Sequence, residues 1–395
     1  MIAKVFGSLV VLLFFACGNN DNSASSANEE ESGQKESSSL DTLVRCEVEG
    51  SFAWNESGKS YFLCEDGIMQ LHEVEPHKAG FDACQFNFGA EWQAAHEDSA
   101  FYAGLDYVAV WLGDNAYYND FENRMVDLCV RIGATPMIYG YVIAEFGKDR
   151  GLVDCDAADV THTKTLCTDG ANLIREFFAD SILHRYSEYA FGIKRRLNGL
   201  DIDLKKYKTI WLIEPDFYQY SATGSAQKEE RFGIAQNGGG IPDEEMGKYF
   251  KQIVDTIRYY LPAAEIAIDI SPWISDWKQT SQSAWYSNFD MSIVDYASTS
   301  GGRTSAGTEK IRTSNLAKWK DIYDVVKKPI LADAGYGHTG SSTGHDAKWD
   351  DVMNIQARMA DGVVGVMQMN AKRGYPAIAD TIRPQLKYDF PWCKK

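Results

Sequence analysis

Thr209-Ile-Trp-Leu-Ile-Glu-Pro-Asp216-Phe-Tyr-Gln-Tyr220 begins as an apolar run and stops at an acid, a rigid proline and a second acid, followed by aromatic residues. A short apolar run closed by proline reads as a strand buried on both faces, the condition of a parallel sheet covered by helices. Seven further runs of this kind lie at 83–88, 107–112, 136–144, 265–270, 291–296, 329–334 and 363–369, which makes 209–216 the fourth of eight. Amphipathic stretches separate them. Phe121, Met125, Leu128 and Ile132 follow the second run at helical spacing, and Phe250, Ile253, Ile257 and Leu261 precede the fifth, between Pro242 and Pro262. Eight such units predict an α/β fold, a (β/α)8-type, TIM-like barrel over residues 80–395. An open doubly wound sheet is the alternative, but no Gly-x-Gly-x-x-Gly turn or P-loop follows any of the runs.

Upstream of the barrel the composition changes. Lys4, an apolar run over 5–16 and Cys17 read as a secretion signal, too short to span a bilayer. Phe14-Phe15-Ala16-Cys17 resembles a bacterial lipoprotein box, which implies cleavage before Cys17 and its lipidation. Residues 18–43 are Ser, Asn and Glu with few apolar side chains, so burial cannot offset their ordering entropy, and they read as an acidic tether. Residues 44–75 then hold two alternating stretches, 47–54 and 59–63, around Asn55-Glu-Ser-Gly58, a small β-hairpin unit. The implied place is the bacterial outer membrane or cell surface, or alternatively the periplasm or medium. Such compartments are oxidising, and seven cysteines remain after Cys17. Cys46–Cys64 would close the hairpin, and Cys155–Cys167 would brace a polar loop. Cys84 and Cys129, set among apolar residues, read equally as buried thiols or a bridge, and Cys393 is left unassigned.

In a barrel, chemistry collects where strands end. The strand ends here are acidic: Glu145 after the third, Glu214 and Asp216 at the fourth, Asp269 at the fifth, Asp295 at the sixth and Asp333 at the seventh. Carboxyl groups converging on one mouth raise each other's proton affinity, so one stays protonated while another is ionised, which is what glycoside hydrolysis requires. Any single strand-end acid can instead cap a helix or pair with a lysine. Trp111, Tyr139, Tyr141, Tyr218, Tyr220, Trp273, Trp277 and Tyr296 fall at or just past strand ends, where flat rings could pack on pyranose faces. The catalytic set is therefore Asp216, Glu214, Asp333, Glu145 and Asp269.

Leu212-Ile-Glu-Pro-Asp216 resembles the Glu-Pro-Asp signature of glycoside hydrolase family 6, whose distorted barrel cleaves β-1,4-glucans with inversion. The resemblance implies Asp216 as proton donor. Ile266-Ala-Ile-Asp269 with Trp273, then Asp333 and the 363–370 segment with Asn370, fall where that family has its later acidic and sugar-binding segments. Phe217 and Tyr218 stand where it has a small residue and Leu or Ile, and its Asp-Arg-Asp-Cys segment is replaced by the region of Glu145 and Asp149-Arg150. Glu214-Pro215 at the fourth strand and Asp333 at the seventh resemble instead the large clan of retaining (β/α)8 glycosidases, which has a Glu-Pro acid/base and a glutamate nucleophile at those places.

The expected function is cleavage of a plant-type β-glycan, with a non-catalytic polysaccharide-binding or adhesion lipoprotein as the alternative. With 39 Lys and Arg against 56 Asp and Glu, the net charge of −17 leaves no basic surplus for nucleic-acid phosphates. The expected partners are a polysaccharide or oligosaccharide and, through the lipid anchor only, a membrane. A monomer is expected. No metal is expected, since the cysteines and seven histidines lack ligand spacing, and no cofactor is implied.

Overall fold

A sheet that closes on itself has no edges to protect, and eight of the eleven strands among the described residues do so. The computed structural model describes residues 45–46, 52–54, 60–73, 80–93, 99–113, 120–154, 164–221, 243–270, 285–299, 304–312, 317–335 and 342–393. The expected signal with Cys17, the tether 18–43, Cys155, Trp273 and Trp277 lie outside them.

The small N-terminal unit is a three-stranded antiparallel sheet, β1 (Phe52–Trp54), β2 (Ser60–Glu65) and β3 (Ile68–Glu73), in that order. Its third strand is an addition to the expected hairpin. Asp66 and Gly67 join β2 to β3 with φ of 53° and 74°, the pair of left-handed residues that a two-residue hairpin turn demands. Cys46 bridges to Cys64 of β2 as expected.

The barrel follows with β4 (Asn87–Glu91), β5 (Tyr107–Leu112), β6 (Thr135–Gly140), β7 (Thr209–Ile213), β8 (Ala264–Asp269), β9 (Tyr296–Thr299), β10 (Ile330–Ala334) and β11 (Val363–Gln368). All neighbours are parallel, and β11 pairs with β4 to close the ring. Helices α1 (Ser99–Tyr102), α2 (Asp120–Ile132), α3 (Val142–Lys148), α4 (Leu166–Phe177), α5 (Leu183–Gly199), α6 (Phe217–Ser221), α7 (Asp243–Tyr260), α8 (Trp319–Val326), α9 (Val352–Ala360) and α10 (Tyr375–Ile382) lie between and after the strands. This is a TIM-like barrel, with β7 its fourth strand and β10 its seventh.

In-register partners of a parallel ladder share a face, so the inward side can be followed around the ring. Tyr139 lies beside Leu212, Leu212 beside Ala267, Asp269 beside Ser298, Ser298 beside Leu331, Asp333 beside Met367, Met367 beside Gly89, and Glu91 beside Ala109. Large and small residues alternate to fill the interior. A Cβ on Gly89 would lie 2.3 Å from the Tyr107 ring, so that phenol occupies the space a side chain there would need. Phe81 packs edge-on against Tyr107 and Tyr296 and plugs the end at which the strands begin.

Two strands begin later than their apolar runs. Asn87 accepts from the Asp82 N–H and donates to the Asp82 and Gln85 carbonyls, which folds residues 82–86 into a turn and starts β4 at 87 instead of 83. At the sixth strand, Asp290 caps a 3-10 turn, Met291–Ile293. Asp295 then accepts from the Ile266 N–H and from Arg258, and β9 starts only at Tyr296. The third strand ends at Gly140, which moves Ala144 and Glu145 into α3.

Cys84 pairs with Cys393 across 309 residues, and Cys129 is a buried free thiol. Cys167 is disulfide-bonded, and its expected partner Cys155 lies outside the described residues. The Cys84–Cys393 bridge pins the C-terminal segment to the turn before β4, where the Trp392 indole also donates to the Ala83 carbonyl. Replacing both cysteines by serine is expected to lower stability by roughly 2–5 kcal/mol, read as a lower urea midpoint with a steeper slope, since the unfolded chain loses its longest cross-link among the described residues.

Candidate active site

The ends of β4, β5 and β6 and the first turn of α3 enclose a recess of about 240 Å³, lined among others by Glu91, Trp92, Trp111, Tyr141 and Glu145. Trp111 and Tyr139 are ladder partners on β5 and β6, and their rings stack at 4.6 Å, with Tyr141 edge-on to Trp111 at 5.7 Å. Gly113 allows this approach: a Cβ there would meet the Tyr141 carbonyl at 2.4 Å. Glu145 forms an ion pair with Lys148 at 2.8 Å, and the Lys148 ammonium sits 5.0 Å from the centre of the Tyr141 ring.

Three inward-facing carboxyl groups, from three strands, lie within electrostatic reach of the Tyr139 phenol. Burial pushes the Tyr139 hydroxyl well above its ordinary proton affinity, and the nearby Asp333, Glu91 and Asp269 push it further. Tyr139 therefore keeps its proton and can donate a hydrogen bond to an oxyanion or a carboxylate. Asp269 and Asp333 are 1% exposed, each at or next to the end of its strand. Asp269 accepts from the Asp216 N–H at 2.9 Å, and Asp216 in turn accepts from the Gln219 amide at 2.6 Å.

Glu91 was missed by the sequence reading because its strand was ended at residue 88. Burial raises its carboxyl from an ordinary value of 4.5 to about 7, against a lowering hydrogen bond from Gln93. The Gln93 side chain is anchored on the Met369 carbonyl of the neighbouring strand end, and its N–H donates to the Tyr102 hydroxyl. A carboxyl group that is half protonated near neutrality, set in an aromatic recess, is the clearest electrostatic anomaly at the mouth.

The remaining expected residues take other places. Glu214 is fully buried, and its Oε1 accepts from the Tyr186 hydroxyl and, at 2.8 Å, from the Ile143 N–H in the first turn of α3. It braces α3 and α5 against the sheet. Both Glu214 and Asp216 have left-handed backbones, with φ of 52° and 65°, so Pro215 is flanked by two conformations that non-glycine residues avoid. That turn also breaks the period-two alternation expected to put the two acids on one side. Tyr218 is fully buried against Trp285 and Tyr286 and is core, not a sugar platform. Tyr296 lies at the opposite end of the barrel, where its hydroxyl donates to Glu265 at 2.8 Å, because its strand starts there instead of ending there. Asp295 is at that end too, paired with Arg258. Asn370 donates to the Gly335 carbonyl at 2.7 Å and fastens the loop after β10. Trp273, Trp277 and the side chain of Tyr220 lie outside what the structure describes.

A second recess, of about 470 Å³, lies on the outer wall between α5 and α7, away from the strand ends. Among the described residues no group of three or more His, Cys, Asp or Glu is placed to hold a metal ion.

No family model matches the chain, and no curated protein matches it. Solved structures similar to it include a beta-1,4-D-mannanase from Cryptopygus antarcticus, at 11% identity over 78% of this chain and 93% of that one, with a TM-score of 0.47. The GH26C protein of a Muricauda species is 13% identical over 78% of this chain and 89% of its own, with a TM-score of 0.48. An endo-1,4-beta-mannanase from Eisenia fetida is 12% identical over 78% and 88%, with a TM-score of 0.42. At these values the likeness decides nothing about activity, and the barrel itself rests on the strand ladder.

Because the folded state holds the Glu91 proton to about pH 7 and the unfolded chain releases it near 4.5, the native state binds more protons between those values. This group's contribution to stability therefore falls as pH rises through that window, by at most about 3 kcal/mol. Glu91→Gln, an isostere of the protonated acid, is expected to gain stability relative to the unmodified protein between pH 5 and pH 8. Urea unfolding at both pH values checks this, and equal differences at the two would contradict it.

Proposed function

We propose that this barrel hydrolyses the glycosidic bonds of a neutral, plant-type β-glycan. The observation that carries the reading is that Glu91, Asp269 and Asp333, inward-facing residues at or next to the ends of three strands, lie within electrostatic reach of the Tyr139 phenol, whose ring stacks on Trp111. Hydrolysis needs one carboxyl that gives a proton to the leaving oxygen and another that attacks the sugar or activates water. A mouth with several carboxyl groups in unlike surroundings supplies both states at one pH. Asp333, Asp269, Asp216 and Glu145 are the candidates for attack, water activation and charge stabilisation. Trp111 and Tyr141 give the pyranose ring a stacking surface, and the net charge of −17 disfavours polyanionic chains.

Glu214-Pro215 after the fourth barrel strand and Asp333 on the seventh support a kinship with the retaining clan more than with family 6. The brace that Glu214 forms with Tyr186 and Ile143 speaks for a structural use of that glutamate. We place the protein at the bacterial surface, tethered through Cys17, on the strength of residues 5–17 and the acidic segment behind them.

The full chain incubated with β-glucans, xylans and mannans is expected to release new reducing ends from at least one. Asp333→Asn and Asp269→Asn should each reduce that release by about 100-fold or more while leaving the fold intact. Saturable binding with no new reducing ends across the panel would favour a polysaccharide-binding lipoprotein and overturn the hydrolase. Trp111→Ala is expected to weaken polysaccharide affinity by roughly tenfold, the loss of one stacked ring, as read by calorimetry. Cys17→Ser is expected to move the protein from the membrane fraction to the soluble fraction of expressing cells.

A further inference from the structure

We propose that Glu91, at the end of the first barrel strand, is the general acid that protonates the leaving oxygen, an assignment that rests on the hydrolase reading and takes this role from Glu214 and Asp216. Four features of its surroundings argue for it. Glu91 is the last residue of β4, and the ladder register turns it towards the barrel interior beside Ala109. It lines the recess whose other walls are Trp92, Trp111, Tyr141 and Glu145, so a sugar stacked on those rings would bring a glycosidic oxygen within its reach. Its carboxyl is poised near neutrality by burial, which is where a proton donor works best. Its backbone carbonyl accepts from Tyr102, and Gln93 is fixed to the last strand by Met369, so the segment that carries the acid is held on both sides.

The alternatives are committed elsewhere. Glu214 is fully buried, with Oε1 accepting from a phenol and a helix N–H. One oxygen of Asp216 accepts from Gln219, and its N–H is given to Asp269. Glu145, in the same recess, is ion-paired with Lys148, a partner suited to a carboxylate that attacks C1 or takes a proton from water.

In the step itself the C1–O bond breaks with its electron pair moving to oxygen, which takes the Glu91 proton and departs as a hydroxyl group. A water oxygen then bonds to C1. Its proton goes to a second carboxylate of the mouth if water attacks directly, or to Glu91 if that carboxylate has first formed a glycosyl ester that water hydrolyses.

The test uses two substrates for Glu91→Gln: the glycan that the unmodified protein cleaves best, and a dinitrophenyl glycoside of the same sugar, whose phenolate leaves without a proton. Release from the glycan is expected to fall by about 100- to 10,000-fold, and first-turnover release of dinitrophenolate, which needs no proton on either route, by less than about tenfold. The alkaline limb of the pH profile, near pH 7 in the unmodified enzyme, should vanish from the residual activity. Full activity on the glycan, or an equal loss on both substrates, would overturn the assignment while leaving the hydrolase standing. If the unmodified protein cleaves neither class of substrate, the hydrolase reading fails and this assignment fails with it.

Discussion

The pairing of β11 with β4 is the constraint on which the rest depends, because it turns a sheet with two faces into a tube with an inside. Once Gly365 lies beside Asn87 and Met367 beside Gly89, every second residue of all eight strands must fit a narrow, dry interior. Apolar residues meet that demand by alternating size, as Gly89 does beneath the Tyr107 ring. Acids cannot. An inward Glu or Asp near the end of a strand loses much of its hydration and faces other acids from the opposite wall, and both effects hold protons on it. The tube thus converts an acid that would be unremarkable on a surface, Glu91, into one that keeps its proton to about pH 7 within the mouth.

Around that mouth, stability and chemistry fall to different acids. Asp295 with Arg258, and Asp106 with Arg383, sit where strands begin and hold loops and helices in place. Glu214 does similar work at the far end, gripping the start of α3 and the Tyr186 hydroxyl of α5. Holding it there requires the two residues that flank Pro215, Glu214 and Asp216, to adopt left-handed backbones, at an expense of order 1–3 kcal/mol each. What that strain secures is position: Asp216 is delivered with its N–H on Asp269, which fixes the carboxyl at the end of β8 beside its neighbour.

Much of this was legible in the sequence. The eight apolar runs and their helical separators specify the barrel, since a strand covered on both faces leaves a continuous apolar signature. Asp216, Asp269 and Asp333 are found at the mouth because the fourth, fifth and seventh runs coincide closely with real strands, whereas Glu145 reaches it from the first turn of α3 although its run overshoots the end of β6. Tyr218 deceives because its position after a strand end resembles that of an exposed platform, whereas α6 turns the ring into Trp285 and Tyr286. The third strand of the small sheet was legible as well, since Asp66-Gly67 is a strong hairpin signal between two alternating runs.

The two misplaced strands share one cause, and it bears directly on the chemistry. Hydrophobic periodicity locates a strand by its apolar residues, but where a strand begins is decided by which backbone groups are already taken. Asn87 closes a turn on Asp82, and Asp295 takes the Ile266 N–H, so in both cases a polar side chain delays pairing by several residues. A delayed start moves the end in the same direction, from residue 88 to 91 at β4 and from 296 to 299 at β9. At β9 this carries Tyr296 from the expected mouth to the floor of the barrel. At β4 it does the reverse, extending the strand past residue 88 so that Glu91 becomes the terminal, inward residue. Asparagine and aspartate just ahead of an apolar run therefore move the functional end of a barrel strand as well as its beginning, and the acid that the structure singles out here owes its place at the mouth to the side chain of Asn87.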